Sequence, residues 1–322
     1  MTLRLTLSWL TVAGLLLAAC LVHAQSASEQ AAQPTGGNTK IVFIAGTPSH
    51  GYAEHEHYAG SLLLADCLRR GLPNVTTTVC KNGWPKDPGV FDGVSAIVVF
   101  ADGGKGNPML PHLDEIDELM EKGVGLACLH YAVVIPKGRA GDFFKQWIGG
   151  YYEEYWSVNP FWAADFKQLP DRPIARGVKP FVIEDEWYFN MRFIDNMEGV
   201  TPILTAVPPD STRDRPDGPH SGNPTVRSQK GRAEHMAWAR VRPDGGRGFG
   251  LTGCHSHWSW ANDDFRTVVL NGIAWVAKLD IPLGGVPSNT PTIETLKANL
   301  DKAQPPDFNE GKVRKLIDNW KR

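Results

Sequence analysis

The sequence predicts an α/β fold built on a mostly parallel sheet with helices on both faces. Three observations carry this. Short, continuous apolar runs ("KIVFIAG", "AIVVFAD", "VGLACLHYA") read as strands buried on both faces. Segments of helical period separate them. The chain has 322 residues, 42% of them apolar, enough for one sizeable core.

Taken in order, "KIVFIAG" is a β-branched strand, and "EHYAGSLLLADCLRRG" is a helix that stops at Gly71. "VTTTVC" and "AIVVFAD" are strands, and "PHLDEIDELMEKG" is an amphipathic helix with a glycine stop. "VGLACLHYA" is a strand that carries His130 at its end. The aromatic, proline-rich stretch from Gly149 to Phe181 reads as loop and short strands extending the active face. "FVIEDEWYFN", "TPILTAV" and "HMAWARV" are strand candidates. Between the last two lies the long polar loop "DSTRDRPDGPHSGNPTV", a length that signals either function or disorder. "GRGFGLTGCH" is a late strand, and "DDFRTVVLNGIAWVAKLDIP" a closing helix. A tail, 283–322, holds two short helices. The last of them, from Glu310 to Arg322, either binds a partner or packs on its own domain. The domain proper is 40–282.

Residues 1–24 read as an export signal. Arg4 is the positive end, "LTVAGLLLAACLVHA" the apolar region and "VHA" the small-residue cleavage site. Residues 25–39 are a polar linker. The apolar run is short for a membrane span, so no transmembrane helix is expected, and the protein is placed in the periplasm or outside the cell. "LAAC" offers a second reading, lipoprotein anchoring through Cys20. An exported chain permits disulfides. Cys67 and Cys80 flank one helix-to-strand connection, and form either a bridge or two free thiols.

Lys and Arg number 33 against 35 Asp and Glu, with no basic run, which argues against nucleic acid as a partner. No P-loop, H-E-x-x-H, paired C-x-x-C or G-x-S-x-G appears, which argues against the common phosphate-loop, zinc-protease and serine-hydrolase signatures. Trp is frequent at 11. Trp156, Trp162, Trp187 and Trp258 stand beside polar residues, either as stacking platforms for a sugar or as core.

In an open parallel sheet, ligands bind beyond the strands' C-terminal ends. By that rule the polar residues converge. His50 follows the first strand, Asp102 the third, His130 ends the next and His255 the last. Asp185 and Glu186 adjoin on a strand and point to opposite faces, so at most one of them is expected to face a ligand unless the chain bends there. Glu234 and His235 open another strand. His255 and His257 are two apart and share a face if extended. His55 and His57 open a helix, where His55 is expected to face solvent and His57 to contribute one turn further in. His220, in the long loop, is a lid residue or has no role. Imidazoles from separate strand ends suit a catalytic divalent metal, zinc or manganese, or metal-free acid–base work near neutrality.

These strings, in order, resemble the trehalose-utilisation (ThuA-like) family from about Lys40 to Pro282. The matching pieces are the histidine loop, "GVGLACLHYA", "IEDEWY", "EHMAWARV" and "GRGFGLTGCHSH". "HEH", "NGWPKD", "WSVNP" and "VPPDSTRDRPDGPHSGNP" are similar to its secreted, stand-alone members. The resemblance implies a flavodoxin-like, class I glutamine-amidotransferase-like doubly wound fold, and a link to disaccharides and their 3-keto derivatives. His50, His130, Asp185, Glu186, His235 and His255 match the family's recurrent polar positions, and His57 and His257 those of the secreted subgroup. Amidotransferases place a nucleophilic Cys at the turn after the strand matching "VGLACLHYA". Here Cys128 lacks their G-x-C-x-G-x-Q pattern, so it is expected to be core and the protein not a glutaminase. The expectation is an isomerase, lyase or hydrolase of a keto-sugar or glycoside. Asp185 or Glu186 would be the base, His235 an orienting group, and His50, His57, His130, His255 and His257 would hold metal or substrate. The alternative is a non-catalytic sugar-binding module.

Overall fold

A computed structural model describes residues 38–320. The expected export segment, the Cys20 anchor and the linker up to residue 37 lie outside the described residues. The strands are β1 (Thr39–Ala45), β2 (Val75–Cys80), β3 (Val94–Phe100), β4 (Gly125–Leu129), β5 (Gly150–Tyr151), β6 (Phe161–Phe166), β7 (Phe181–Glu186), β8 (Arg192–Phe193), β9 (Val200–Ala206), β10 (Glu234–Val241) and β11 (Arg247–Leu251). The helices are α1 (His57–Gly71), α2 (Leu113–Glu121), α3 (Arg139–Trp147), the single turns α4 (Asp210–Arg213) and α5 (Pro224–Arg227), then α6 (Asp263–Val276), α7 (Ile293–Lys297) and α8 (Glu310–Trp320).

Seven strands form the main sheet in the order β2-β1-β3-β4-β11-β10-β9. The first five run parallel, and β10 is antiparallel to both of its neighbours, β11 and β9. The fold is therefore α/β with a mostly parallel sheet. Alternation along each strand sorts its side chains into two cores. Ile41 and Phe43 of β1 pack with Leu64 and Leu68 of α1 and Val268 and Val269 of α6. Val42 and Ile44 pack with Ile116 and Met120 of α2 and Phe144 and Trp147 of α3. A strand buried on both faces needs an unbroken apolar run, which is why these strands were legible.

Helix α6 starts where Asn262 caps it by accepting from the Phe265 N–H, with Asp263 and Asp264 complementing the positive end. Helix α3 went unread. It is short, has no side-chain cap and follows Gly138 at φ 93°. Two smaller ribbons, β5 with β8 and β6 with β7, stand outside the main sheet. The β6–β7 ribbon carries Glu186 at its end.

The tail is part of the core. Ile293, Leu296, Val313 and Ile317 are buried with α1 and α6, and Phe308 stacks on Trp258 and meets Tyr52 edge-on. All four described cysteines are free, so Cys67 and Cys80 form no bridge. Among the described residues no helix is long and apolar enough to cross a membrane.

Candidate metal and substrate site

The parallel strands end on one rim, and the segments leaving them build the site. After β1 the chain runs through Ser49 and His50 and turns at Ala53 (φ 61°) and His55 (φ 48°) into α1. After β3 comes Asp102. After β4, His130 does not continue the strand. It opens a 3-10 turn at φ 54°. After β11, Cys254 at φ 91° swings the chain so that His255 faces the rim and the turn His257–Ala261 begins. L-residues in this region are strained by roughly 1–2 kcal/mol each. Surrounding packing holds them there. The β1 and β11 loops are pinned together where the His55 N–H donates to the His255 carbonyl (3.1 Å) and the His257 N–H to the Ala53 carbonyl (2.9 Å).

Four side chains converge. His55 Nε2 lies 3.0 Å from His130 Nε2 and 3.0 Å from His255 Nδ1. Glu186 Oε2 lies 3.1 Å from His255 Nδ1 and 3.5 Å from His130 Nε2. All four ligand atoms fall within 4.8 Å of one another, and all four residues are buried or nearly so. The protons can be assigned from the outer partners. His130 Nδ1 is 2.7 Å from the Thr252 carbonyl, which only accepts, so Nδ1 carries the hydrogen. His55 Nδ1 donates to Asp102 Oδ1 at 3.0 Å. Burial pulls both imidazoles below their usual range, His130 well below, so both are neutral. Their Nε2 atoms therefore face each other as lone pairs at hydrogen-bond distance with no proton between them. Tetrahedral ligands about 2.0–2.1 Å from a divalent ion stand about 3.3 Å apart, close to the separations here. The carbonyl and carboxylate behind the rings are the orienting partners that metal-bound histidines use. The cluster can hold a metal.

His255 differs. Burial lowers it, but the Glu186 hydrogen bond and charge, with Asp185 and Glu54, outweigh that and leave it raised. Asp102 is resisted by burial yet ends below the usual carboxylate range through His55, His57 and Ser49. His50 stacks on His55 with ring centres 3.5 Å apart, and its side chain is 39% exposed. It is the open imidazole of the group, and with His55 and Asp102 makes a second, more exposed trio.

The other expected residues fall elsewhere. Asp185 is buried behind Glu186, its oxygens taken by the N–H groups of Glu186, Cys254 and His255 and the Ser259 hydroxyl. It holds the segment after β11 and is not one of the four converging ligand residues. His235 sits on the β10 strand against Thr205 Oγ1 (2.9 Å) and Phe193, outside the cluster. Glu234 is bound to Arg213 and Arg232. His57 is buried behind Asp102, 3.6 Å from Oδ1, and burial holds its ring down at about 4. His257 does not share a face with His255, because the chain turns between them. Its ring is buried and lowered to about 4. His55, expected at the surface, is the centre of the cluster. The positive φ at Ala53 and His55, which periodicity cannot show, turned it inward.

The four tryptophans offer no open face. Trp162 and Trp187 are core and donate to the Trp187 and Ile183 carbonyls. Arg192 lies 3.4 Å over Trp156, and Phe308 covers Trp258. An open aromatic beside the cluster is Phe161, 54% exposed, its ring centre 4.9 Å from that of His255. It walls a cleft of about 530 Å³ with Asn159, Pro160, Glu186, Ser211, Thr212 and Arg215. Asn159 donates to Glu186 Oε1 at 2.8 Å. His220 of the long loop meets the Tyr152 hydroxyl at 3.1 Å and Tyr131 edge-on, on the same side. Tyr188, also unread in the sequence, places its hydroxyl 3.1 Å from His130 Nε2 and 3.3 Å from Glu186 Oε2. Cys128 is in β4, fully buried, with its thiol pushed far up by burial. The tight turn after that strand belongs to His130.

A protein-family model described as trehalose utilisation, ThuA, matches residues 42–276. Among solved structures the chain is similar to a ThuA-like protein of Bacteroides uniformis, at 13% identity over 76% of this chain and 94% of that one, TM-score 0.54. A ThuA-like protein of Parabacteroides merdae gives 15% identity, 79% and 93% coverage and a TM-score of 0.45. A glutamine amidotransferase of Thermotoga maritima gives 12%, 74% and 96%, and 0.37. At these identities the first likeness speaks to the fold alone. No match is found among curated proteins.

Proposed function

The chain belongs to the trehalose-utilisation (ThuA) family, and on that premise we propose that it is a metal-dependent enzyme acting on a sugar or 3-keto glycoside. The observation that supports this is the proton-free contact between His55 Nε2 and His130 Nε2, closed by His255 and Glu186. The ligands would be those four residues, and zinc or manganese suits their nitrogen and oxygen donors. A bound divalent ion supplies Lewis acidity toward a carbonyl oxygen. The protein's own residues supply the rest. Asp102 holds the His55 ring and its tautomer. Glu186, steadied by Asn159, offers the one carboxylate. His50, open and stacked on His55, would take a proton from a carbon next to a sugar carbonyl. Phe161 offers an apolar face to a sugar ring in the cleft. Export of the chain is part of the same proposal, in keeping with a carbohydrate met outside the cytoplasm.

The alternative, a non-catalytic sugar-binding module, has no use for four converging ligand atoms. The test is metal content of the tag-free protein by mass spectrometry, followed by incubation with trehalose and 3-keto-trehalose under NMR observation. Near-stoichiometric zinc or manganese and metal-dependent conversion of the keto-sugar support the proposal. Metal-free protein after reconstitution, or binding without conversion, would sink it.

A further inference from the structure

The long loop between β9 and β10 carries an unpaired cation into the cleft. Arg215 lines the cleft beside Glu186, Asn159, Ser211 and Phe161, and among the described residues is the only cationic one that does so. Its Nη1 is buried and has no hydrogen-bond partner. Among the described residues its guanidinium forms no ion pair, whereas the loop's other basic residues are engaged: Arg213 with Glu234, Arg227 with Asp217 and Lys230 with Asp214. A half-buried guanidinium with a dry nitrogen is costly unless a partner arrives.

The loop is built to hold it. The Arg215 carbonyl accepts from Arg227 Nη1 at 3.0 Å. Gly222 packs against that carbonyl so closely that a Cβ there would lie 2.1 Å from it. The Gly222 N–H donates to the Pro216 carbonyl, and the N–H groups of Tyr155 and Asn159 donate to the carbonyls of Pro219 and His220. Asn223 caps α5 by accepting from Val226. A segment of this length without strands is thus tied down at several points, and Arg215, which has no ion-pair partner among the described residues, lines the cleft.

We infer that Arg215 is an anion-reading subsite, so that a carbohydrate bearing a carboxylate or a phosphate is favoured over its neutral counterpart. Guanidinium forks pair with both groups in a bidentate manner. This rests on the reading of the cleft as the substrate site, and not on the metal. The Phe161 face would take the sugar ring and Arg215 the anionic substituent, leaving the opposite side of the ring toward His255 and Glu186.

The test is calorimetric titration of the full chain with glucuronate, glucose 6-phosphate and glucose, on wild type and Arg215→Gln, with metal content and melting temperature measured on both. Expected is at least one anionic sugar bound about tenfold or more tighter than glucose. That preference should vanish in Arg215→Gln while fold and metal content stay unchanged. Glucuronate against glucose 6-phosphate tells carboxylate from phosphate. Equal binding of all three, no binding of either anionic sugar, or a preference that survives Arg215→Gln would overturn the inference. Loss of the metal reading leaves these comparisons intact, because the preference is read on binding alone.

Discussion

His55 Nε2 and His130 Nε2 stand 3.0 Å apart, and the hydrogen of each ring is spent on the opposite side, on Asp102 and on the Thr252 carbonyl. Two lone pairs meeting inside a buried pocket suit a cation. His55→Ala should therefore strip the metal as completely as His130→Ala, a loss of affinity of about 100-fold or more. Mass spectrometry of the dialysed variants reads it. Wild-type metal content in His55→Ala would remove His55 from the site.

Asp102 touches no other member of the four-ligand cluster than His55 in this way, yet it fixes that ring. Asp102→Asn keeps the shape and removes the charge. Metal affinity should fall about 10–100-fold while the fold is kept. Competition with a chromogenic chelator measures it, and an unchanged affinity would make the contact incidental.

Asp185 holds the segment after β11 through three donors, the N–H groups of Cys254 and His255 and the Ser259 hydroxyl, and also accepts from the Glu186 N–H. Asp185→Asn turns one acceptor oxygen into a donor facing donors, at a cost of about 2–3 kcal/mol. Urea unfolding should show that loss with or without metal. A variant as stable as wild type but inactive would return Asp185 to the chemistry.

His57 and His257 are both held neutral by burial, each lowered to about 4. In the unfolded chain the same rings titrate near about 6.5. As pH falls from about 6.5 toward 4, the unfolded chain takes up protons that the fold refuses, so stability drops; above that window these rings contribute no pH dependence. Each accounts for about 1.4 kcal/mol per pH unit at most. Metal-free protein unfolded in urea from pH 7.5 to 4.5 should show this fall, and His257→Asn should flatten it by one proton. An unaltered slope would mean that His257 is protonated in the fold.

Leu296 of α7 is fully buried against the core. Leu296→Ala should cost about 2–5 kcal/mol in one cooperative transition. Separate early loss of the tail, with the main transition unmoved, would make the tail an appendage after all.

The sequence by itself determined the frame. Strands buried on both faces must be continuous and apolar, and helices between them must be periodic, so β1, β3, β4 and β11, the rim beyond them, and the arrival there of His130, His255 and one of the pair Asp185 and Glu186 were legible. Which further residues share that rim was decided only in three dimensions. His55 enters because the backbone turns at positive φ, and it meets His255, 200 residues away, through backbone pairing that no local pattern records. His257 and His235 leave because the chain turns after Cys254 and because β10 carries its histidine to Thr205 instead. The tryptophans were legible as aromatic but not as covered, since Arg192 and Phe308 reach them from distant segments. Periodicity reports which face of an element is buried. It carries no information about a strained turn or a partner far along the chain, and those two features assemble this site.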